Sequence, residues 1–270
     1  MRVGIGVNEW ARTFPQVLAA ACKELNIDYQ LIEFTDLPEV DVTHLAPALL
    51  YLKPKAISLY KELEAKGVKV LNTVASIDIA DDKAATYRAL RREQVPQLET
   101  EVILLDLTEM KRLYQAGGTV YKRTHGGQGR WVRLARDPSE IEAIYKEFVA
   151  EGPGEVIAQP FISEANGQTI RVIVTGGKVL AAALRTSEMD FRSNISLGGT
   201  QVKYTLSDFE TEISLAATSA LGLGHAGVDL IFTNEGARVL EVNACPDFTS
   251  MKEISDIDLA QEVIKTLLLK

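Results

Sequence analysis

Cysteine is scarce: the chain holds two, Cys22 and Cys245, far apart in sequence. That excludes a disulfide framework and any CxxC or Cys/His metal spacing, and it suits a reducing, cytoplasmic setting. Long apolar runs are missing as well, since nothing approaches the roughly 20 residues of a membrane span. The opening MRVGIGVNEW has one Arg and few apolar residues before Asn8, too little for the apolar region of a signal peptide. Neither a GxGxxG fingerprint nor a Walker A (GxxxxGK[ST]) is present, which weakens a dinucleotide-binding or P-loop reading. Positive charge is also short: the formal net charge of −8 disfavours nucleic acid and anionic membrane as partners.

What remains is a globular composition, with 46% hydrophobic residues and a mean hydropathy near zero. The 270 residues suffice for one large or two to three small domains. Up to about residue 73, strand-like and helix-like runs alternate: MRVGIGV, FPQVLAAACKELN, DYQLIEF, HLAPALLYL, AISLYKELEAKGV and KVLN. This pattern predicts a small open α/β unit with a mainly parallel sheet. SIDIADDKAATYRALRREQVP then predicts one helix capped by Ser76 and followed by Pro96. EVILLD, TVYKRT, GRWVRLA and EVIAQPFI, with the helical PSEIEAIYKEFVAEG among them, predict an α+β lobe of antiparallel strands. TIRVIVTGGKVLAAALR predicts a hairpin about Gly176 and Gly177, and SDFETEISLAATSALG and IDLAQEVIKTLLL predict helices.

The chemistry concentrates in a second hairpin, AGVDLIFTNEGARVLEVN. A turn centred on Glu235 sets Asp229 opposite Glu241, with Asn243 on the same face. Val228, Leu230, Phe232, Leu240 and Val242 then share the other face. Two carboxylates facing across a ladder oppose pairing by up to about 1 kcal/mol, so a positive group should lie between them. Two acids and an amide suit a hard cation such as Mg²⁺. A solvent-facing edge hairpin would show the same polar residues, but scattered rather than gathered at one end.

Other segments point to an anion. YKRTHGGQGRWV carries Gly126, Gly127 and Gly129 beside Lys122 and Arg123, a loop whose backbone N–H groups can approach phosphate, although a plain hairpin tip also takes glycine. QPFIS (Gln159 to Ser163) has Pro160 in a strand-like run, marking a strand end or hinge. DFRSN places Arg192 and Asn194 in a polar loop. Arg171, within the strongly β-forming TIRVIV, should meet an anion. Lys83 alone reads as a solvated charge, and His125 as an exposed loop residue. No role is assigned to His44 or His225.

The order of these pieces, above all DFRSN, AGVD and LEVNACP, closely resembles the ATP-grasp fold and its RimK-type glutamate ligases, from about His44 to the C-terminus. The resemblance implies an N-terminal α/β domain at 1–73, a small lobe with its leading helix at 74–157, and a large lobe carrying the metal site at 158–270. It implies ATP phosphates at Lys83 and Lys122, a mobile loop at Gly126, Gly127 and Gly129, and adenine beside Gln159, Pro160, Phe161 and Ile162. Arg192, Asn194 and Arg171 fall at the phosphoryl end. Asp229, Glu241 and Asn243 match the ligands of two Mg²⁺ ions, for which Mn²⁺ may substitute. Thr169 stands where relatives carry an acid for the ribose, and Pro160 where RimK has an acid.

The implied reaction is ATP-dependent joining of a carboxylate to an amine through an acyl phosphate. An amino acid such as glutamate is added to a peptide, protein or small-molecule acceptor. A kinase or carboxylase on the same nucleotide site, or a non-catalytic nucleotide-binding module, are the alternatives. The family commonly forms dimers or tetramers, so a homo-oligomer is an open expectation.

Overall fold

The computed structural model describes residues 2–7, 13–33, 45–46, 57–127, 129–187, 191–193 and 198–269. Its first sheet is parallel, in the order β2-β1-β3, from β1 (Arg2–Val7), β2 (Asp28–Glu33) and β3 (Leu45–Ala46). The helices α1 (Thr13–Glu24) and α2 (Ile57–Ala65) accompany it. Within HLAPALLYL the described residues, Leu45 and Ala46, form a short strand. Leu45 and Ala46 extend the sheet beside Arg2 and Val3, where β1 offers an unpaired edge; the rest of that segment lies outside the described residues.

The second sheet is antiparallel, in the order β4-β7-β5-β6. It comprises β4 (Glu101–Leu104), β5 (Thr119–Arg123), β6 (Val132–Ala135) and β7 (Glu155–Pro160), with α5 (Leu107–Arg112) and α6 (Ile141–Ala150) on one face. Alternation divides it. Tyr121, Val156 and Ala158 join Met110, Ile141 and Phe148 in a core, while Val120, Lys122 and Gln159 turn to the opposite face and a cleft.

The third sheet is also antiparallel, in the order β10-β9-β8-β11-β12. Its strands are β8 (Gln168–Thr175), β9 (Lys178–Thr186), β10 (Thr200–Lys203), β11 (His225–Thr233) and β12 (Gly236–Asn243). Ile170, Val172, Val174, Val228, Leu230, Val239 and Val242 bury one face in the main core, against the helix α7 (Asp208–Ala220). Ser207 starts α7 with a reciprocal capping box to Glu210. On the opposite face Ile173 and Ala183 enter a second core with α1, β1 and the last helix, α8 (Leu259–Leu269), and Arg171, Arg185, Asp229, Glu241 and Asn243 of this sheet line the cleft. Among the described residues no helix is long and apolar enough to cross a membrane.

Two local expectations need correction. The segment read as one helix is two, α3 (Val74–Asp81) and α4 (Lys83–Arg92). Thr73, not Ser76, caps the first by accepting from the Ser76 N–H. Asp82 is extended and accepts from the N–H groups of Ala84 and Ala85, so it caps α4 and interrupts the run. Its carboxylate serves a new helix start better than it serves a helix interior. KVLN is likewise no strand, because Asn72 is buried and spends its side chain on the backbone at residues 224, 225 and 244.

His225 is fully buried, with Nδ1 at 2.8 Å from the Thr175 hydroxyl and Nε2 without a partner among the described residues. Burial pushes its pKa down to about 4, against about 6.5 in an unfolded chain. Below pH 6.5 the unfolded chain takes up a proton that the folded chain refuses, so stability is lost as pH falls towards 4, by roughly 3 kcal/mol. We expect His225→Asn to flatten this part of the profile, measured as urea unfolding midpoints at pH 7 and pH 4.5. Equal pH slopes in the two proteins would contradict it.

Candidate active site

The carboxylate hairpin starts from a tighter turn than the sequence suggests. Thr233 pairs with Gly236, leaving Asn234 and Glu235 as the two turn residues, and this register runs as far as Leu230 opposite Val239. Leu240 is then an extra residue, a β-bulge, after which Asp229 faces Glu241 and Gly227 faces Asn243. The expected pair is present, but Leu240 is not on the core face. Val239 takes the core position and Leu240 lines the cleft.

The row of facing residues continues to β8, where Arg171 stands opposite Asp229. Its Nε and Nη2 donate to the two carboxylate oxygens at 2.6 and 2.8 Å. The anion expected for Arg171 is thus Asp229, and the ion pair is nearly buried, with side chains 9% and 14% exposed. Gly227 makes room for it, since a Cβ there would lie 2.6 Å from Arg171 Nη1 and 2.6 Å from Pro246 Cβ. Asn243 Nδ2 sits 3.4 Å from Asp229 Oδ2, and Lys83 Nζ 3.9 Å from Glu241. Across the cleft, burial pulls the Lys122 pKa down to about 8, Glu241 opposes that shift and Lys83 adds to it.

The two sheets enclose a cleft of about 1040 Å³, its open mouth included. Every expected site residue except Asn194 lines it; Asn194 lies outside the described residues. Lys83 donates to the Gly126 carbonyl at 2.7 Å and Arg192 to the Gly129 carbonyl at 2.7 Å, so a cation from each wall holds an end of the glycine loop. Gly126 has φ +118°, beyond the reach of most side chains. Gln159 Nε2 donates to Thr100, while its Oε1 is buried without a partner among the described residues. The Thr169 and Ser193 hydroxyls bond each other. Pro160 ends β7, as its ring predicts. The Phe161 N–H is already given to the Gly118 carbonyl at 3.0 Å, so what Phe161 offers a ligand is its ring, which meets Phe191 edge-on.

Sequence reasoning missed Arg185. It is buried in the cleft wall opposite Thr169, its Nε has no partner among the described residues, and burial lowers its pKa to about 10. A bulge between Ile173 and Val174 is the reason. Continuing the register of the Gly176–Gly177 turn would set Thr169 opposite Leu184 and send Arg185 to the other face.

Asp229, Glu241 and Asn243 offer hard oxygen donors at one sheet end. Among the described residues no group of three His, Cys, Asp or Glu gathers anywhere. The donor set therefore fits a cation that keeps water or phosphate oxygens in its shell, as Mg²⁺ does.

The family described as RimK-like ATP-grasp domain matches residues 80–267. The chain belongs to the RimK-like ATP-grasp family. A relative in Mannheimia succiniciproducens, a probable alpha-L-glutamate ligase, is 36% identical over 212 residues, 78% of this chain and 71% of the relative. Among solved structures, a RimK-domain ATP-grasp protein from Sphaerobacter thermophilus superposes with a TM-score of 0.80 at 23% identity, covering 99% of this chain and 100% of the other. The ligase PsnB, solved with minimal precursor, Mg and ADP, gives 0.75 at 21% identity over 99% and 96%. The architecture is the ATP-grasp fold, and the protein is an ATP-grasp ligase.

The Arg171–Asp229 pair yields a prediction. Arg171→Met leaves a nearly buried carboxylate uncompensated and should cost about 3–5 kcal/mol, whereas Arg171→Met with Asp229→Leu should lose clearly less. Urea unfolding of the two variants decides it, and equal losses would show that the pair is not coupled.

Proposed function

We propose that this ligase joins a carboxylate to an amine at the expense of ATP through an acyl phosphate, adding glutamate or another amino acid to a peptide, protein or small-molecule acid. One observation carries the reading. A single cleft sets Asp229, Glu241 and Asn243 on one sheet against Lys122 and the glycine loop on the other, with Lys83 close to both Glu241 and the loop. Among the described residues five cations, Lys83, Lys122, Arg171, Arg185 and Arg192, line it against two carboxylates, Asp229 and Glu241. That excess suits a triphosphate together with a carboxylate substrate. The unit bounds at 1–73, 74–157 and 158–270 belong to the same proposal, as does a cytoplasmic setting, which the two free cysteines favour.

In this mechanism the adenine lies beside Phe161 and Ile162, and Gln159 Oε1, an acceptor with nothing to accept, takes its amino group. Thr169 and Ser193 meet the ribose in place of an acidic residue. Lys83 and Arg192 exchange carbonyl and carboxylate partners for phosphate oxygens, and Lys122 and Asn194 join them. Asp229, Glu241 and Asn243 would hold Mg²⁺, as two ions or with Mn²⁺ substituting, which when bound neutralises and aligns the triphosphate. The substrate carboxylate attacks the γ-phosphorus, the bond to the β,γ-bridging oxygen breaks, and ADP leaves. Arg185 and Arg192 stabilise the charge on the transferred phosphoryl group. The amine then attacks the acyl carbon, the C–N bond forms, phosphate departs and the amine gives up a proton. Closure of the loop at Gly126, Gly127 and Gly129 keeps water from the acyl phosphate.

ADP release should depend on both an acid and an amine, with the amide detected by mass. Glu241→Gln and Asn243→Ala should abolish it while unfolding remains cooperative. Release that needs only an alcohol or bicarbonate would make the enzyme a kinase or carboxylase instead, and full activity in both variants would remove the metal assignment.

Lys122 predicts a pH dependence. With its free-state pKa near 8 and phosphate favouring the charged form, ATP binding should weaken as pH rises above 8, up to about tenfold per unit. Isothermal titration at pH 7, 8 and 9 measures it, and Lys122→Met should remove the dependence. An unchanged pH profile in that variant would assign the titration elsewhere.

A further inference from the structure

The ladder between β11 and β12 ends at Gly227 opposite Asn243. Beyond that pair the chains diverge, with His225 in β11 on one side and Ala244, outside any strand, on the other. Asn72 fills the gap from the far side of the chain. Its Nδ2 donates to the carbonyls of both His225 and Ala244 at 2.7 Å. Its Oδ1 accepts from the N–H groups of Gly224 and His225 at 2.7 and 2.9 Å. Both donors and both lone pairs of the amide are used, and the residue is 3% exposed. The side chain thus acts as one further rung that ties Ala244 to β11, immediately next to Asn243.

Asn243 is the last residue of that ladder, paired only with Gly227 and lying three residues after the Leu240 bulge, and its side-chain amide reaches the Gly227 carbonyl and Asp229 only at 3.4 Å. The spacing of Asn243 from Asp229 therefore depends on where Ala244 is pinned. We infer that Asn72 is a positioning residue for the divalent-cation seat, setting the distance between the Asn243 and Asp229 side chains and with it the affinity for the cation. The inference rests on the proposed cation role of Asp229, Glu241 and Asn243, and it adds a residue that touches none of the reacting groups.

A structural role alone would lower stability without changing cation affinity, so the test reads both. Mn²⁺ binding to the ADP-bound protein is followed by electron paramagnetic resonance, ADP binding in EDTA by calorimetry, and stability by thermal unfolding. Asn72→Ser should raise the Mn²⁺ dissociation constant at least tenfold and leave metal-free ADP binding within twofold. Ile144→Ala, a core truncation in α6 remote from the cleft, should lower stability comparably and change neither constant. An unchanged Mn²⁺ constant in folded Asn72→Ser, or an equal rise in Ile144→Ala, overturns the inference. Linkage supplies a second measurement on the unaltered protein, independent of whether the variant folds. Mg²⁺ with ADP should slow hydrogen exchange at the Gly224 and His225 amides, which Asn72 accepts, by more than ADP alone does. Identical exchange in the two states also overturns it. If Glu241→Gln binds Mn²⁺ as well as the wild type, the cation seat itself falls and this inference with it.

Discussion

Two carboxylates set opposite each other across an antiparallel ladder repel, and Asp229 and Glu241 are so placed. The cleft is organised by the means that keep them there. Arg171 neutralises Asp229 from the neighbouring strand, Lys83 approaches Glu241 from the start of α4, and Lys122 faces both from the other sheet. Arg171 reaches its acid within one sheet, whereas Lys83 and Lys122 come from outside it. The break at Asp82 places Lys83 at the first position of α4, where its own backbone N–H also bonds Thr124 beside the glycine loop. Gly227 is bare so that the Arg171 guanidinium can lie flat against the strand. Each acid thus has a cation beside it, and the proposed function has such partners exchanged for phosphate and metal.

Much of this was legible because strand alternation is a strong signal. VDLIF and LEVN disclose which residues share a face, and TIRVIV discloses that Arg171 must face something negative. What escaped was set by single-residue irregularities. One bulge turns Leu240 into the cleft and another swings Arg185 from the core face to the site. Neither has a local residue signature, since each depends on how two strands settle against a third. The Ser76 helix start lost to Thr73 and Asp82 because several side chains in one stretch could cap, and tertiary placement chose among them. The role of Asn72 depends on backbone more than 150 residues away, which no local pattern shows. That the Phe161 N–H is already used was hidden for a similar reason: the strand before it pairs as far as Pro160 and the N–H goes on to the Gly118 carbonyl.

Where this chain departs from the pattern of its family, the structure suggests how the surroundings adapt. Thr169 does not stand alone, because its hydroxyl is coupled to Ser193, making a neutral pair where the family pattern has a charge. Pro160 removes a donor and an acid, and next to it Gln159 holds a buried carbonyl oxygen facing no donor among the described residues. On the proposed reading both changes lower negative charge around the nucleotide, in a cleft whose cations, among the described residues, outnumber its carboxylates.

The account is tested most directly by locating the cation. Crystals grown with Mn²⁺ and a non-hydrolysable ATP analogue, measured at the manganese absorption edge, should show an anomalous peak bounded by Asp229, Glu241 and Asn243 and by the analogue's phosphate oxygens. Bound analogue with no peak among those three side chains, or with manganese held elsewhere, would contradict it.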